Sequence, residues 1–139
     1  MSGISQYDHG DLTYSTSFTT AVTTTSSTFS VISSQTITPP AGTYLTIWSG
    51  SLAITNGING SAEIAIFLAG TQQTVTTRTA HINVTSLGLI TSAYLNPGGD
   101  SIITLLSVNG TQAIDVRFRS PDGDTVRADR GNLILLRVA

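Results

Sequence analysis

Apolar residues recur at strand spacing in short segments along this 139-residue chain, with clean alternation at 79–85 and 114–119. Gly, Asn, Asp or Pro interrupt the alternation roughly every ten residues, the rhythm of short strands joined by turns. The stretch furthest from alternation is 131–139. Its Leu133, Ile134, Leu135, Leu136 and Val138 form a nearly continuous apolar run, too short for a free-standing helix. It reads as a strand covered on both faces and pinned inside a sheet. One cover comes from its own domain, and a second copy of the chain is a candidate for the other.

The remaining strands follow from the same pattern. Residues 1–17 are polar with isolated anchors at Ile4, Leu12 and Tyr14, and read as an N-terminal arm. Residues 18–37 are Thr/Ser-rich and supply one or two edge strands, ended by Pro39-Pro40. Residues 42–54 form a long strand, with Leu45 and Ile47 on one face and Tyr44 and Trp48 on the other. After an Asn-Gly-rich turn at 56–60, residues 63–69 carry Ile64, Ile66 and Leu68 on one face. A turn at 70–72 follows. Residues 79–85 alternate, with Ala80, Ile82 and Val84 inward and Thr79, His81, Asn83 and Thr85 outward. Residues 89–95 are a strand, 96–100 (Asn-Pro-Gly-Gly-Asp) a strong turn, and 102–108 a strand apolar on both faces. Asn109-Gly110 turns the chain into 114–119, with Ile114, Val116 and Phe118 inward and Asp115, Arg117 and Arg119 outward. Residues 120–130 read as a charged loop before the last strand. The expected fold is all-β, an antiparallel sandwich of about eight strands, with 1–17 as arm and 18–139 as one domain.

Composition agrees and adds exclusions. Thr, Ser, Val and Ile dominate, while Lys is absent and Glu63 is the single Glu, so helix formers are scarce. The net charge of −2 argues for neither nucleic acid nor an anionic membrane as partner. No Cys means no disulfide, thiol nucleophile or thiolate metal site. The first residues lack the basic and apolar regions of a secretory signal, and no run reaches the ~18 apolar residues of a membrane helix. Synthesis in a host cytoplasm is the corresponding expectation.

Candidate chemistry is thin. Asp8, His9 and Asp11 hold metal-ligand atoms but sit in the arm, where no fixed geometry is expected. His81 has no acidic neighbour in sequence to make it a general base. Asp122, Asp124 and Asp129 suggest calcium, yet the loop has Val126 where a ligand is needed and lacks the closing Glu. Arg117, Arg119, Arg127 and Arg130 lie close in sequence, so a salt-bridged loop is the better reading. Asn59, Asn83 and Asn109 begin glycosylation triplets, which a Ser/Thr-rich chain produces by chance. No Gly-x-Ser-x-Gly elbow marks a nucleophile. The expectation is a protein without catalytic residues, cofactor or metal.

Three stretches together carry a resemblance. Residues 40–47, Pro-Ala-Gly-Thr-Tyr-Leu-Thr-Ile, match a Pro-x-Gly-x-Tyr-apolar strand. Gly99-Asp100-Ser101-Ile102 matches a Gly-Asp turn into a late strand, and 114–119 followed by 130–138 matches the ending. Over residues 37–139 the chain resembles the trimeric jelly rolls of the tumour necrosis factor and complement globular-head superfamily. The likeness is to compact versions found in bacterial and phage proteins. The first 30 or so residues have no counterpart.

The resemblance implies a homotrimer packed by apolar strand faces, with Tyr44, Trp48, Leu135 and Arg137 as axis candidates; the alternative for Tyr44 and Trp48 is the monomer core. It further implies a virion protein of a bacteriophage, a capsid decoration or cement protein on the capsid surface. Its partners would be itself and the major capsid protein. The arm, through Tyr7, Leu12, Tyr14 and Phe18, would reach neighbouring capsid subunits. A receptor- or glycan-binding knob of a tail or head fibre is the alternative, favoured if Trp48 or Tyr94 is on the surface.

Overall fold

Strand-forming residues with a half-buried pattern pair wherever a turn returns the chain beside itself, and ten strands result. They are described by a computed structural model over residues 13–55, 59–83 and 92–139, with backbone alone at 59, 80–83 and 92–100. In chain order they are β1 (Thr13–Phe18), β2 (Val22–Thr24), β3 (Ser30–Ile37), β4 (Gly42–Thr55) and β5 (Asn59–Leu68). Then follow β6 (Thr71–Gln72), β7 (Arg78–Asn83), β8 (Ser92–Val108), β9 (Ile114–Arg119) and β10 (Thr125–Arg137). Among the described residues a single 3-10 turn, Thr74–Thr76, precedes β7.

Two antiparallel sheets form. The first runs β1-β10-β4-β8, with β2 also on β10; the second runs β3-β9-β5-β6, with β7 also on β5. Setting aside the short β2 and β6, the eight longer strands in chain order give first-fourth sheet neighbours 1-8-3-6 and 2-7-4-5. That is the double Greek-key order of a jelly roll.

Between the sheets lies one core. Tyr44, Trp48, Leu52, Ile54, Ile102, Leu133 and Leu135 come from the first sheet; Ile32, Ile64, Ile66, Ile114, Val116 and Phe118 come from the second. The inward set expected for β9 and for Ile64 and Ile66 of β5 is the set found.

Three expectations change. The five residues 96–100 do not reverse the chain. They lie inside β8, both halves of which pair with β4, and the register shifts between Gly50 and Leu52. Pro and Gly tolerate an interrupted ladder as readily as a tight turn, so the same residues serve as a bulge. Most of 120–130 is likewise strand. Only the start turns, and β10 begins at Thr125 with a bulge between Ala128 and Gly131. Charged side chains there alternate with Val126 and Ala128, both fully buried.

The arm boundary also moves. Residues 13–17 are part of β1, paired residue by residue with β10 from Thr13–Leu136 to Phe18–Gly131. Residues 1–12, including Tyr7 and Leu12 and the Asp8-His9-Gly10-Asp11 cluster, lie outside the described residues, as do 56–58 and 84–91.

Candidate functional site

The four residues assigned to a threefold axis do not lie on an open face. Tyr44, Trp48 and Leu135 have no exposed surface in the single chain, so they fill its core. Tyr44 donates to the Pro40 carbonyl oxygen at 3.0 Å, and burial pushes its phenol above the ordinary value, with Tyr14 adding and Arg137 opposing. Trp48 donates its indole N–H to Gln35. Arg137 folds back on the Ala139 carbonyl oxygen at 3.2 Å. The physical reason is parity: these residues share the inward phase of β4 and β10, and the neighbouring phase faces out.

That outward phase is where the sheet remains unfinished. Register aligns Leu136, Leu45 and Leu105 across β10, β4 and β8, and aligns Ile134, Ile47 and Ile103 beside them. Ile103 and Leu105 are each 61% exposed and Leu136 36%, while Leu45, Ile47 and Ile134 are half-buried by their neighbours. Six aliphatic side chains thus form two adjoining rows on one sheet face. β10 is therefore covered on one face only within the chain, not on two.

The opposite sheet shows what a finished outer face looks like. Arg117 stacks over the Phe67 ring at 4.4 Å and holds Asp115 with two bonds, 2.6 and 3.0 Å. Hydrogen bonding to Asp115 raises the Arg117 guanidinium above its ordinary value, against the opposing pull of burial. Arg119 stacks over Phe29 at 4.6 Å and pairs with Glu63, and Phe29 and Phe67 meet edge to face. Charged groups here lie over aromatic surface and neutralise one another. Nothing equivalent covers Ile103 and Leu105 among the described residues.

The arm anchors that are described belong to the domain. Phe18 is only 9% exposed and joins the core, and Tyr14 packs edge to face on Tyr44 with ring centres 6.1 Å apart. Neither is free to reach a neighbour, because β1 has already found its edge on β10.

The acidic loop resolves into separate contacts. Asp129 pairs with Arg127, and Asp122 accepts a hydrogen bond from the Ser61 hydroxyl at 2.5 Å. Arg117 and Arg119 find their acids at Asp115 and Glu63, further from the loop than sequence proximity suggests. Among the described residues no three His, Cys, Asp or Glu side chains gather as metal ligands. The side chains of His81, Asn83 and Tyr94 lie outside the description. Asn109 accepts from the backbone and hydroxyl of Thr111, as a turn residue does.

One feature that sequence reasoning missed adjoins the aliphatic rows. The next row along the same face is polar, Ser17, Asn132, Ser49 and Ser101 across all four strands. Beyond it, at the β10 bulge, Arg130 and Ser51 flank a dent of about 520 Å³. Four polar residues on four strands spaced far apart in sequence give no motif; register alone brings them together.

Comparison with known proteins bears on the fold. No protein-family model and no curated protein matches the chain. Among solved structures it is similar to the infectious bursal disease virus VP2 subviral particle, with TM-score 0.50 and 15% identity over 90% of this chain and 32% of that one. The T=1 particles derived from infectious bursal virus give TM-score 0.50 and 14% identity over 90% of this chain and 31% of that one. The sugar-binding EclA C-terminal domain gives TM-score 0.48 and 14% identity over 84% and 78%. The chain spans about a third of the viral particle chains it matches. At these identities the likeness is one of fold, and the fold in common with the viral particle proteins is the two-sheet sandwich.

Proposed function

We propose that this chain is a non-enzymatic structural protein of a virion, a bacteriophage capsid decoration or cement protein that seats on the head as a homotrimer. The observation that carries the assembly step is the pair of aliphatic rows on the β10-β4-β8 face. Leaving Ile103 and Leu105 in water, where the described strands of the other sheet expose only Val31 among their large apolar residues, is costly unless something covers them. A second and third copy presenting the same rows supply that cover, and association buries apolar area at about 25 cal/mol per Å². The virion setting is supported by the resemblance of residues 37–139 to compact phage jelly rolls and by a fold in common with viral particle proteins. The major capsid protein is the partner in this reading. Residues 1–12, ahead of the paired β1, are the segment that extends to it by main-chain pairing with an exposed strand edge. Three such contacts on one trimer reinforce each other through effective concentration.

The test is the solution mass of the full chain by light scattering, followed by co-sedimentation with capsids lacking the protein. Three copies and saturable capsid binding are the expected results. A monomer at micromolar concentration would overturn the trimer, and a trimer that ignores capsids would overturn the decoration role.

A further inference from the structure

We propose that the dent at the polar end of the β1-β10-β4-β8 face binds a carboxylate-bearing sugar of the uronic or sialic acid kind. The site is complete within one chain and adjoins the aliphatic rows at their polar end.

Its size sets the first constraint. About 520 Å³ is far larger than an inorganic anion needs and lies in the range of small-molecule pockets. Its chemistry sets the second. Arg117, Arg119 and Arg127 each hold a carboxylate, but exposed Arg130 makes no ion pair with any described acid. A guanidinium presents a planar fork that matches a carboxylate with two bonds. Beside it stand Asn132 and the hydroxyls of Ser17, Ser49 and Ser101 in one cross-strand row. Hydroxyl and amide groups both donate and accept, which is the pairing that sugar hydroxyls need.

Two further features favour a hydroxyl-rich ligand over a bare anion. Ser51 Oγ, in the dent's lining, is buried and has no hydrogen-bond partner among the described residues. A buried hydroxyl left unpaired is unfavourable, and rotation of the Ser51 side chain towards the dent would let a ligand hydroxyl satisfy it. Phe18 contributes apolar wall, against which the C–H face of a sugar ring packs. Gly50 and Gly131, which pair across the strands at the bulge, contribute backbone to the lining of the dent. Side chains there are excluded, since a Cβ on either would meet the Trp48 ring.

The test uses the full chain, titrated in parallel with D-glucuronate, D-glucose and acetate and followed by amide chemical shifts. Saturable shifts with glucuronate around residues 49–51 and 130–132, weaker response to glucose and to acetate, and weakening by about tenfold or more in Arg130→Gln are the expected results. Ser101→Ala is expected to weaken binding less than Arg130→Gln. Acetate binding as tightly as glucuronate would reduce the dent to a simple anion site and overturn the proposal. Glucose binding as tightly, an unaffected Arg130→Gln variant, or no saturable shift would overturn it as well. The mass of each sample, measured alongside, keeps this result separate from the trimer.

Discussion

Trp48 Nε1 donates a hydrogen bond to Gln35 Oε1 at 3.2 Å inside the sandwich, tying β4 of one sheet to β3 of the other. Gln35 is fully buried, and its amide nitrogen donates in turn to the Thr16 carbonyl oxygen of β1. Ser34, immediately before it, takes a left-handed backbone at φ 66°, and the β3 register shifts across this region. A non-glycine residue pays for that conformation, and here the return is a side chain turned inward to satisfy an indole and a strand edge. Gln35→Leu should therefore destabilise the fold by about 2 kcal/mol, because it strands the buried Trp48 donor and also removes the partner of the part-buried Thr16 acceptor. Urea unfolding checks this; an unchanged midpoint would mean that water replaces the amide.

Gly131→Ala should cost about 2 kcal/mol for a different reason. Its Cβ would lie 2.6 Å from Phe18 Cε1 and 3.0 Å from Trp48 Nε1, both held by the core. Thermal unfolding and a shifted tryptophan emission are the readouts. A neutral variant would show that the Phe18 ring can swing away.

Ile103→Thr combined with Leu105→Thr should leave stability within about 1 kcal/mol, since both side chains face out and Thr suits a strand. The same double variant should shift the solution mass from trimer to monomer. A trimer that persists would place the interface on another face.

Alkaline pH should destabilise the wild type through Tyr44. Its phenol is raised above the ordinary 10.0 chiefly by burial, so the folded state holds the proton longer than the unfolded state. The associated stability is fully present below pH 10 and is lost as pH rises from there through the folded value. In Tyr44→Phe this component of the alkaline slope should vanish, with about 1 kcal/mol lost at neutral pH with the bond to Pro40. Unfolding free energies at pH 8 and above pH 10 test both statements.

Removing residues 1–12 should preserve the sandwich and abolish capsid binding, whereas removing residues 1–18 should also damage the sandwich. The longer cut deletes β1, uncovers the β10 edge and removes the Thr16 acceptor of Gln35. Circular dichroism, solution mass and capsid co-sedimentation separate the outcomes. Capsid binding that survives the shorter cut would remove the arm from the mechanism.

The strands were legible where one face is apolar. In β9 the alternation of Ile114, Val116 and Phe118 with Asp115, Arg117 and Arg119 leaves one phase for the core, and that phase is inside. Strand β4 was legible as a strand but not in its orientation. Tyr44 and Trp48 oppose Leu45 and Ile47, and an apolar residue on both faces carries no sign of which faces inward. Bulges were hidden for a related reason. Asn96-Pro97-Gly98-Gly99-Asp100 has the composition of a reversal, and only pairing of both flanks with β4 identifies it as an interruption. The β1 strand looked like an arm because Thr13, Ser15 and Ser17 face out while its partner lies at the other end of the chain. The polar row beside the dent could not be read at all, since its members meet only through the register of four strands.

The position of β10 has a kinetic consequence. It follows every other described strand in the sequence, yet it lies between β1 and β4 and also holds β2. Until residues 125–137 have left the ribosome, β1 and β4 have no common neighbour and the first sheet cannot close. The second sheet has no such debt to β10, as β3, β9 and β5 pair among themselves. Such ordering predicts a slow folder that exposes the aliphatic strand β4 while it waits, with sequence separation rather than strand strength setting the rate.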